Sequence, residues 1–271
     1  MTGNIYLDLT NEFNAGRLRA ILSSGQAVVV HGLALASKDG DWILREEAEC
    51  FSHILQVLEG YSASYRLGAP LDMRWMSGGW SAHFEFNHEG NRIRCDFVSR
   101  PPRLASDDLA NLWEQQESGT GDNFPVPTLD LRRLALLKAT RRERDYSFIG
   151  EIARRLPTVR EQILWSRSAR DLASLAENFP EEVRQLVAQR PLLSRIGEGR
   201  RVLQRALDEE RYFMSEADEN RLHAYAQAAQ HWNTAWTRIR AEIADVPLRQ
   251  AHKTLVQHAE KLLPEAPDER F

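Results

Sequence analysis

An α+β head followed by an all-helical tail is the fold class this sequence predicts, and three observations predict it. Short runs rich in strand formers (Asp41 to Leu44, Ser62 to Arg66, Ser81 to Asn87, Arg92 to Val98) alternate with helical spacing at Asn11 to Leu22 and Glu46 to Leu58. A polar, glycine-containing stretch, Glu117 to Asn123, then runs into Phe124-Pro125-Val126-Pro127 and reads as a linker. After it the strand signals stop, and from Leu129 to Leu263 the pattern is almost continuously helical, punctuated near Pro157, Pro180, Pro191, Gly197 to Gly199 and Pro247. The expected domains are therefore residues 1–128 and 129–271, with a frayed polar end over Pro264 to Phe271.

Within the head, His88-Glu89-Gly90-Asn91 separates the last two strand runs, and Gly90 suits a tight hairpin turn. If the hairpin turns there, Asp96 faces His83 and Arg94 faces Glu85, the latter most simply as a cross-strand ion pair. Met76-Ser77-Gly78-Gly79-Trp80 has the glycines of a phosphate loop, but a lone glycine pair is a weak signal and a flexible approach to the hairpin is the expectation. In the tail, Leu222, Tyr225, Ala229, Trp232, Trp236, Ile239 and Ile243 recur in steps of three and four, a seam for packing against other helices.

The bulk properties exclude several classes. The 271 residues are 42% hydrophobic and 27% charged, an ordinary soluble balance, and no apolar run approaches the ~20 residues a bilayer-spanning helix needs. The first ten residues lack a basic stretch followed by an apolar one, so a cytoplasmic protein without a secretory signal is expected. A net charge of -4 argues against a broad nucleic-acid footprint. Cys50 and Cys95 fall in a helix and a strand as small buried hydrophobes. The eight histidines do not cluster at metal spacing, and His252 and His258 read as surface residues.

The chemistry concentrates in one place. Asp39 and Asp41, two apart on a strand, point to one side, where two carboxylates repel each other unless a cation sits between them. A hard divalent ion such as Mg²⁺ resolves that conflict and keeps coordination positions for phosphates. Taken alone, the pair reads rather as a solvated strand end with two surface acids. Asp96 changes the balance, because an acid on a strand backed by Ile93, Cys95 and Phe97 needs a cation or a hydrogen-bond network. Three carboxylates on two strands are what a two-metal phosphoryl-transfer site requires.

This stretch resembles the nucleotidyltransferase (DNA polymerase β-like) superfamily, in the small bacterial branch that includes AbiEii-type toxins. The features that carry the resemblance are Ser24-Gly25 at the turn, His31-Gly32, Ser37 at a Thr position, Asp39 and Asp41, and Asp96 as a third acid. A later element, Lys138, Thr140, Arg142, Arg144 and Asp145, matches the family's Lys-x-Thr-x-Arg-x-Lys-Asp in order with Arg144 standing in for the second Lys, and the likeness extends to about Arg155. The resemblance implies a nucleotidyltransferase-type mixed sheet flanked by helices, ahead of the all-helical C-terminal domain. It implies Asp39, Asp41 and Asp96 as catalytic Mg²⁺ or Mn²⁺ ligands, with Ser24, Gly25, Ser37, Lys138 and Arg142 contacting a nucleoside triphosphate such as ATP. A nucleoside monophosphate would pass to an acceptor hydroxyl on RNA (tRNA, for instance), a protein or a small molecule. On a continuous helix Lys138, Arg142 and Asp145 would share one face, which equally suits an ion-paired structural helix.

Four positions depart from the family pattern. Ser24 stands for a Gly, Val28-Val29-Val30 reads as strand where a helix is usual, and Leu35 replaces an Arg. Gly40 replaces a branched apolar residue, which would weaken strand packing. They leave open an alternative, a binding or regulatory module that keeps the fold as one half of a toxin–antitoxin or defence pair with a cognate protein partner.

Overall fold

The computed structural model describes residues 4–119 and 124–267. Thr120 to Asn123 of the expected linker, and the last four residues of the expected polar end, lie outside the described residues. The chain forms two compact units, Met1–Leu129 together with His223–Phe271, and Asp130–Leu222.

The first unit is built on α1 (Ile5–Phe13), β1 (Ala20–Ser23), α2 (Ser24–Val30), β2 (Gly40–Leu44), α3 (Ala48–Gly60), β3 (Ser64–Gly68), α4 (Met73–Ser77), β4 (Ala82–His88), β5 (Asn91–Val98) and α5 (Ser106–Ser118). Its five strands make one mixed sheet in the order β1-β2-β5-β4-β3, in which β2 and β5 run parallel and the other neighbours antiparallel. An α+β fold with a long helical region after it is what the strand and helix signals predicted, and the mixed sheet flanked by helices is what the resemblance implied. The hairpin register is also as expected, with His83 opposite Asp96 and Glu85 opposite Arg94. Glu89 and Gly90 both take positive φ (48° and 78°), the conformation of a tight turn that matches strand twist.

Two local expectations are corrected. Asn11 to Leu22 is not one helix. The Asn14 side chain accepts from the N–H groups of Arg19 and Ala20 and donates to the Ala20 carbonyl, which reverses the chain and releases Ala20–Ser23 as a strand. Conversely, the Val28-Val29-Val30 run is helical. It closes α2, whose turn is tied off by Leu33 N–H donating to the Val28 carbonyl, so tertiary context outweighs the β-branched preference.

The sheet's apolar face carries an aromatic core in which Trp42 and Phe97 stack at 5.3 Å, with Phe13 and Phe84 edge-on. Gly40 belongs to this core and does not weaken it. A Cβ there would come within 2.3 Å of the Trp42 ring and 2.5 Å of the Tyr6 ring, so a branched residue has no room.

Where one division at 128/129 was expected, the compact units part between Leu129 and Asp130 and again between Leu222 and His223. The end of α11 (Arg200–Ala228), α12 (Gln230–Glu242) and α13 (Leu248–Leu262) belong to the sheet unit, because the apolar seam that marked them as packing helices fits the sheet's own core. Trp232, Trp236 and Ile239 are buried there, and the Trp232 indole N–H donates to the Gly68 carbonyl at 3.1 Å. The indoles of Trp75 and Trp80 donate to the carbonyls of Leu263 and Pro264. The Gly78-Gly79 turn is consequently occupied by the chain itself and is not a phosphate loop. A Cβ on Gly78 would sit 1.8 Å from the Glu265 carbonyl oxygen.

The second unit consists of α6 (Leu131–Leu137), α7 (Glu143–Ala153), α8 (Val159–Trp165), α9 (Ala169–Asn178), α10 (Pro180–Leu186), a 3₁₀ segment (Pro191–Glu198) and the first part of α11. Its core gathers Ile163, Leu172, Leu186 and Leu203, and the buried Arg190 shares Glu210 with Arg167. Among the described residues no helix is long and apolar enough to cross a membrane.

Candidate functional site

Asp41 on β2 pairs in register with Asp96 on β5, so two of the three predicted acids stand side by side on the sheet face opposite Trp42 and Phe97. Asp39 lies just before β2, in a loop that several groups pin. The Gln26 amide donates to the carbonyls of Ser37 (3.1 Å) and Asp39 (3.4 Å), and the Tyr6 hydroxyl donates to the Lys38 carbonyl at 2.7 Å. Gly25 closes against this loop. A Cβ at that position would meet the Ser37 hydroxyl at 2.2 Å, so the predicted turn and the predicted Ser37 are in contact because residue 25 has no side chain. Ser24, the first residue of α2, has φ 47°.

The electrostatics record the gathering of acids. Burial, then the charges of Asp96, Asp41 and Asp39, push the Cys95 thiol well above its ordinary range. The Tyr6 phenol is pushed up to about 12, first by burial and further by Cys95, Asp39 and Asp41. Negative charge from all three carboxylates therefore converges on the layer beneath β2 and β5.

The three acids differ in their partners. Arg66 of β3 donates to Asp96 Oδ1 at 2.9 Å, and His83 Nδ1 lies 2.7 Å from the same oxygen, an ion-pair distance without the alignment of a hydrogen bond. Burial pushes the Asp96 carboxyl up, but His83 and Arg66 outweigh it and hold it below its usual range. Asp39 Oδ1, in contrast, is a buried oxygen with no hydrogen-bond partner, and the Arg94 guanidinium is 3.6 Å away. Arg94 thus leans toward Asp39. The expected Glu85–Arg94 pair is replaced by Arg92, whose Nε donates to Glu85 at 2.9 Å, with Arg240 at 3.6 Å.

For a divalent cation the fit is partial. Asp39 and Asp41 offer the hard carboxylate oxygens Mg²⁺ takes, and the buried Asp39 Oδ1, with no hydrogen bond and only Arg94 at 3.6 Å, has capacity left for a cation. Asp96 is already engaged by the Arg66 guanidinium and the His83 imidazole. Among the described residues no three His, Cys, Asp or Glu side chains are grouped tightly enough to hold a metal.

Lys138 and Arg142 are not on one helix. Lys138 ends α6 and Arg142 caps α7, and the turn between them folds around the buried Asp145. Asp145 accepts from the Thr140 hydroxyl at 2.6 Å and pairs with Arg142 at 3.0 Å and Lys138 at 3.6 Å. The ion-paired structural alternative describes this turn, although the pairing crosses a helix break.

Sequence reasoning missed Arg66, Tyr6 and Gln26. Arg66 was hidden by a register shift between Tyr65 and Leu67, which breaks the two-residue rule on β3. It also placed His252 on the surface, where the Tyr65 hydroxyl in fact lies 2.8 Å from His252 Nδ1. His258 pairs with Glu242 at 2.9 Å, and both cysteines are buried as expected.

No protein-family model matches the chain. A search of curated proteins finds no match. Among solved structures it is similar to a chain described as a "putative nucleotidyltransferase from H. pylori", at 11% identity and a TM-score of 0.39 over 79% of this chain and 94% of that one. It is also similar to JHP933 from Helicobacter pylori, at 10% identity and a TM-score of 0.38 over 80% and 92% of the two chains. Superpositions of that extent assign neither a family nor an activity to this chain.

Proposed function

We propose that this chain is a nucleotidyltransferase, moving a nucleoside monophosphate from a nucleoside triphosphate to an acceptor hydroxyl on RNA, a protein or a small molecule. One observation carries the reading. Asp41 and Asp96 are register neighbours on parallel strands, and Asp39, at the head of the first strand, keeps a buried oxygen without a hydrogen-bond partner. Asp39 and Asp41 are the residues that would hold Mg²⁺ or Mn²⁺. When bound, such an ion neutralises the carboxylates, orients the triphosphate and makes the attacking hydroxyl more acidic. Arg66 and His83 keep Asp96 ionised and oriented, so that it completes the acidic face and takes the acceptor's proton. Ser24, Gly25 and Ser37, drawn together by the close approach of the turn to the loop, offer hydroxyl and N–H donors to phosphate.

A second reading has its own support. Asp96 already engaged by Arg66 and His83, and a fully exposed Leu35 where the family carries an Arg, favour a nucleotidyltransferase-like module that binds a partner without catalysis. Incubation with labelled nucleoside triphosphates and Mg²⁺ separates the two. Transfer that disappears in an Asp39→Ala, Asp41→Ala double variant supports the enzyme; transfer that persists in it removes the mechanism. Absence of nucleotide binding by calorimetry at any Mg²⁺ concentration favours the module.

A further inference from the structure

A second site lies away from the acids, in the same unit. Between α3, α13 and the segment that precedes α4 there is a cavity of about 250 Å³, floored by Phe51, Leu55, Leu71 and Met73. His252 of α13 lines it.

The protonation of that histidine follows from its neighbours. The Tyr65 hydroxyl is buried, and its oxygen accepts from the Leu71 N–H at 3.2 Å. Its own proton then needs an acceptor, and His252 Nδ1 at 2.8 Å is the partner within reach. If Nδ1 carried a hydrogen, two donors would face each other and a buried phenol proton would be left unsatisfied. The imidazole is therefore held as the neutral tautomer protonated on Nε2. Burial acts in the same direction and, with Arg74, outweighs the Asp72 carboxylate of the cavity wall, lowering the pKa of this histidine. His252 Nε2–H makes no hydrogen bond among the described residues, so one donor is presented by a rigidly held ring beside an apolar cavity.

The charges around the mouth are uneven in availability. Arg249 is engaged by Glu59 at 2.7 Å, and Asp72 by Arg74 at 2.9 Å. Lys253, which also lines the cavity, is exposed and makes no ion pair among the described residues. An apolar floor, one neutral N–H donor and one available ammonium together fit an apolar body ending in a single acceptor anion.

We propose that this cavity binds a small monocarboxylate with an apolar tail, its carboxylate between His252 Nε2–H and the Lys253 ammonium and its tail on Phe51, Leu55, Leu71 and Met73. The site is independent of the nucleotide reading, because none of these residues belongs to the acidic face.

Calorimetry of the full chain with octanoate, octanol and octylamine tests the chemistry. Octanoate is expected to bind about tenfold more tightly than octanol, the difference one charge-assisted hydrogen bond supplies, with octylamine weakest. Lys253→Ala, at an exposed position that leaves folding intact, is expected to weaken octanoate about threefold. His252→Phe, which keeps an aromatic ring, is expected to weaken it about tenfold. A separate reading needs no ligand. Two-bond ¹H–¹⁵N correlations of the imidazole should show the Nε2–H tautomer in the wild type, and lose that bias in Tyr65→Phe. Equal affinity for octanoate and octanol, no octanoate binding at millimolar concentration, or an Nδ1–H tautomer in the free protein would each overturn the proposal.

Discussion

Asp96 in the sheet unit and Asp145 in the helical unit are built alike, each a carboxylate clasped by two basic side chains. Arg66 and His83 hold the first; Lys138 and Arg142, with the Thr140 hydroxyl, hold the second. The difference is burial. The Asp145 side chain is 2% exposed beside a Lys138 that is 7% exposed, whereas Asp96 is 21% exposed and borders Asp41. A fully enclosed acid with matched cations has its whole valence met and is a structural pin. A partly open one with a second acid beside it stays in contact with water. The same motif in sequence, an acid near basic residues, thus occurs in two environments that differ in what water can reach.

The contrast can be broken most forcefully at Asp145. Asp145→Ala leaves Lys138 buried without its acid, and the helical unit is expected to lose about 3–5 kcal/mol, read as an earlier urea transition. A loss below about 1 kcal/mol would mean that the pin is no tighter than a surface pair. Gly25→Ala tests the other region. The added methyl meets the Ser37 hydroxyl at 2.2 Å and should destabilise by about 1–3 kcal/mol while displacing the loop before Asp39. Unchanged backbone shifts for Ser37 to Asp39 in an NMR spectrum would contradict that close approach.

Asp96 gives a pH signature of smaller size. Against the push of burial, its carboxyl is held below the usual aspartate range by His83 and Arg66, so its contribution to stability is complete above that range and is lost as pH falls through the lower folded value. Asp96→Asn should therefore flatten the acid limb of the stability profile and leave the neutral limb parallel to the wild type, as urea unfolding at a series of pH values would show. The smallest effect belongs to Leu35→Ser. Leu35 is fully exposed, so its replacement should change unfolding free energy by less than about 0.5 kcal/mol. A larger shift would show that this side chain is covered in solution.

The legible parts of the fold were those fixed by local geometry. The β4–β5 hairpin announced itself through the Glu89-Gly90 turn and clean alternation, and its register set Asp96 opposite His83. β1 was invisible because apolar spacing over Asn11 to Leu22 fits a helix, and only the Asn14 side chain, bonding across the bend, shows where the helix ends. The partners of Asp96 were half visible. His83 lies across one hairpin, but Arg66 reaches it from a third strand past a register shift. The seam on α12 declared that those helices pack, yet nothing in a periodic pattern names the surface that receives it. The adjacency of Asp41 and Asp96 depended on a parallel pairing between strands more than fifty positions apart, which local spacing does not determine.

The way the two units divide the chain also sets an order of assembly. Asp130–Leu222 is one unbroken stretch and has all of its core once Leu222 has left the ribosome. The sheet unit, although it supplies the first strands, must wait for His223–Phe271 before Trp75, Trp80 and Gly68 meet the groups that pair with them. During translation the half-built sheet is therefore expected to show apolar surface until His223–Phe271 emerges, and ribosome-bound chains halted at Leu222 should crosslink to chaperones more than full-length ones.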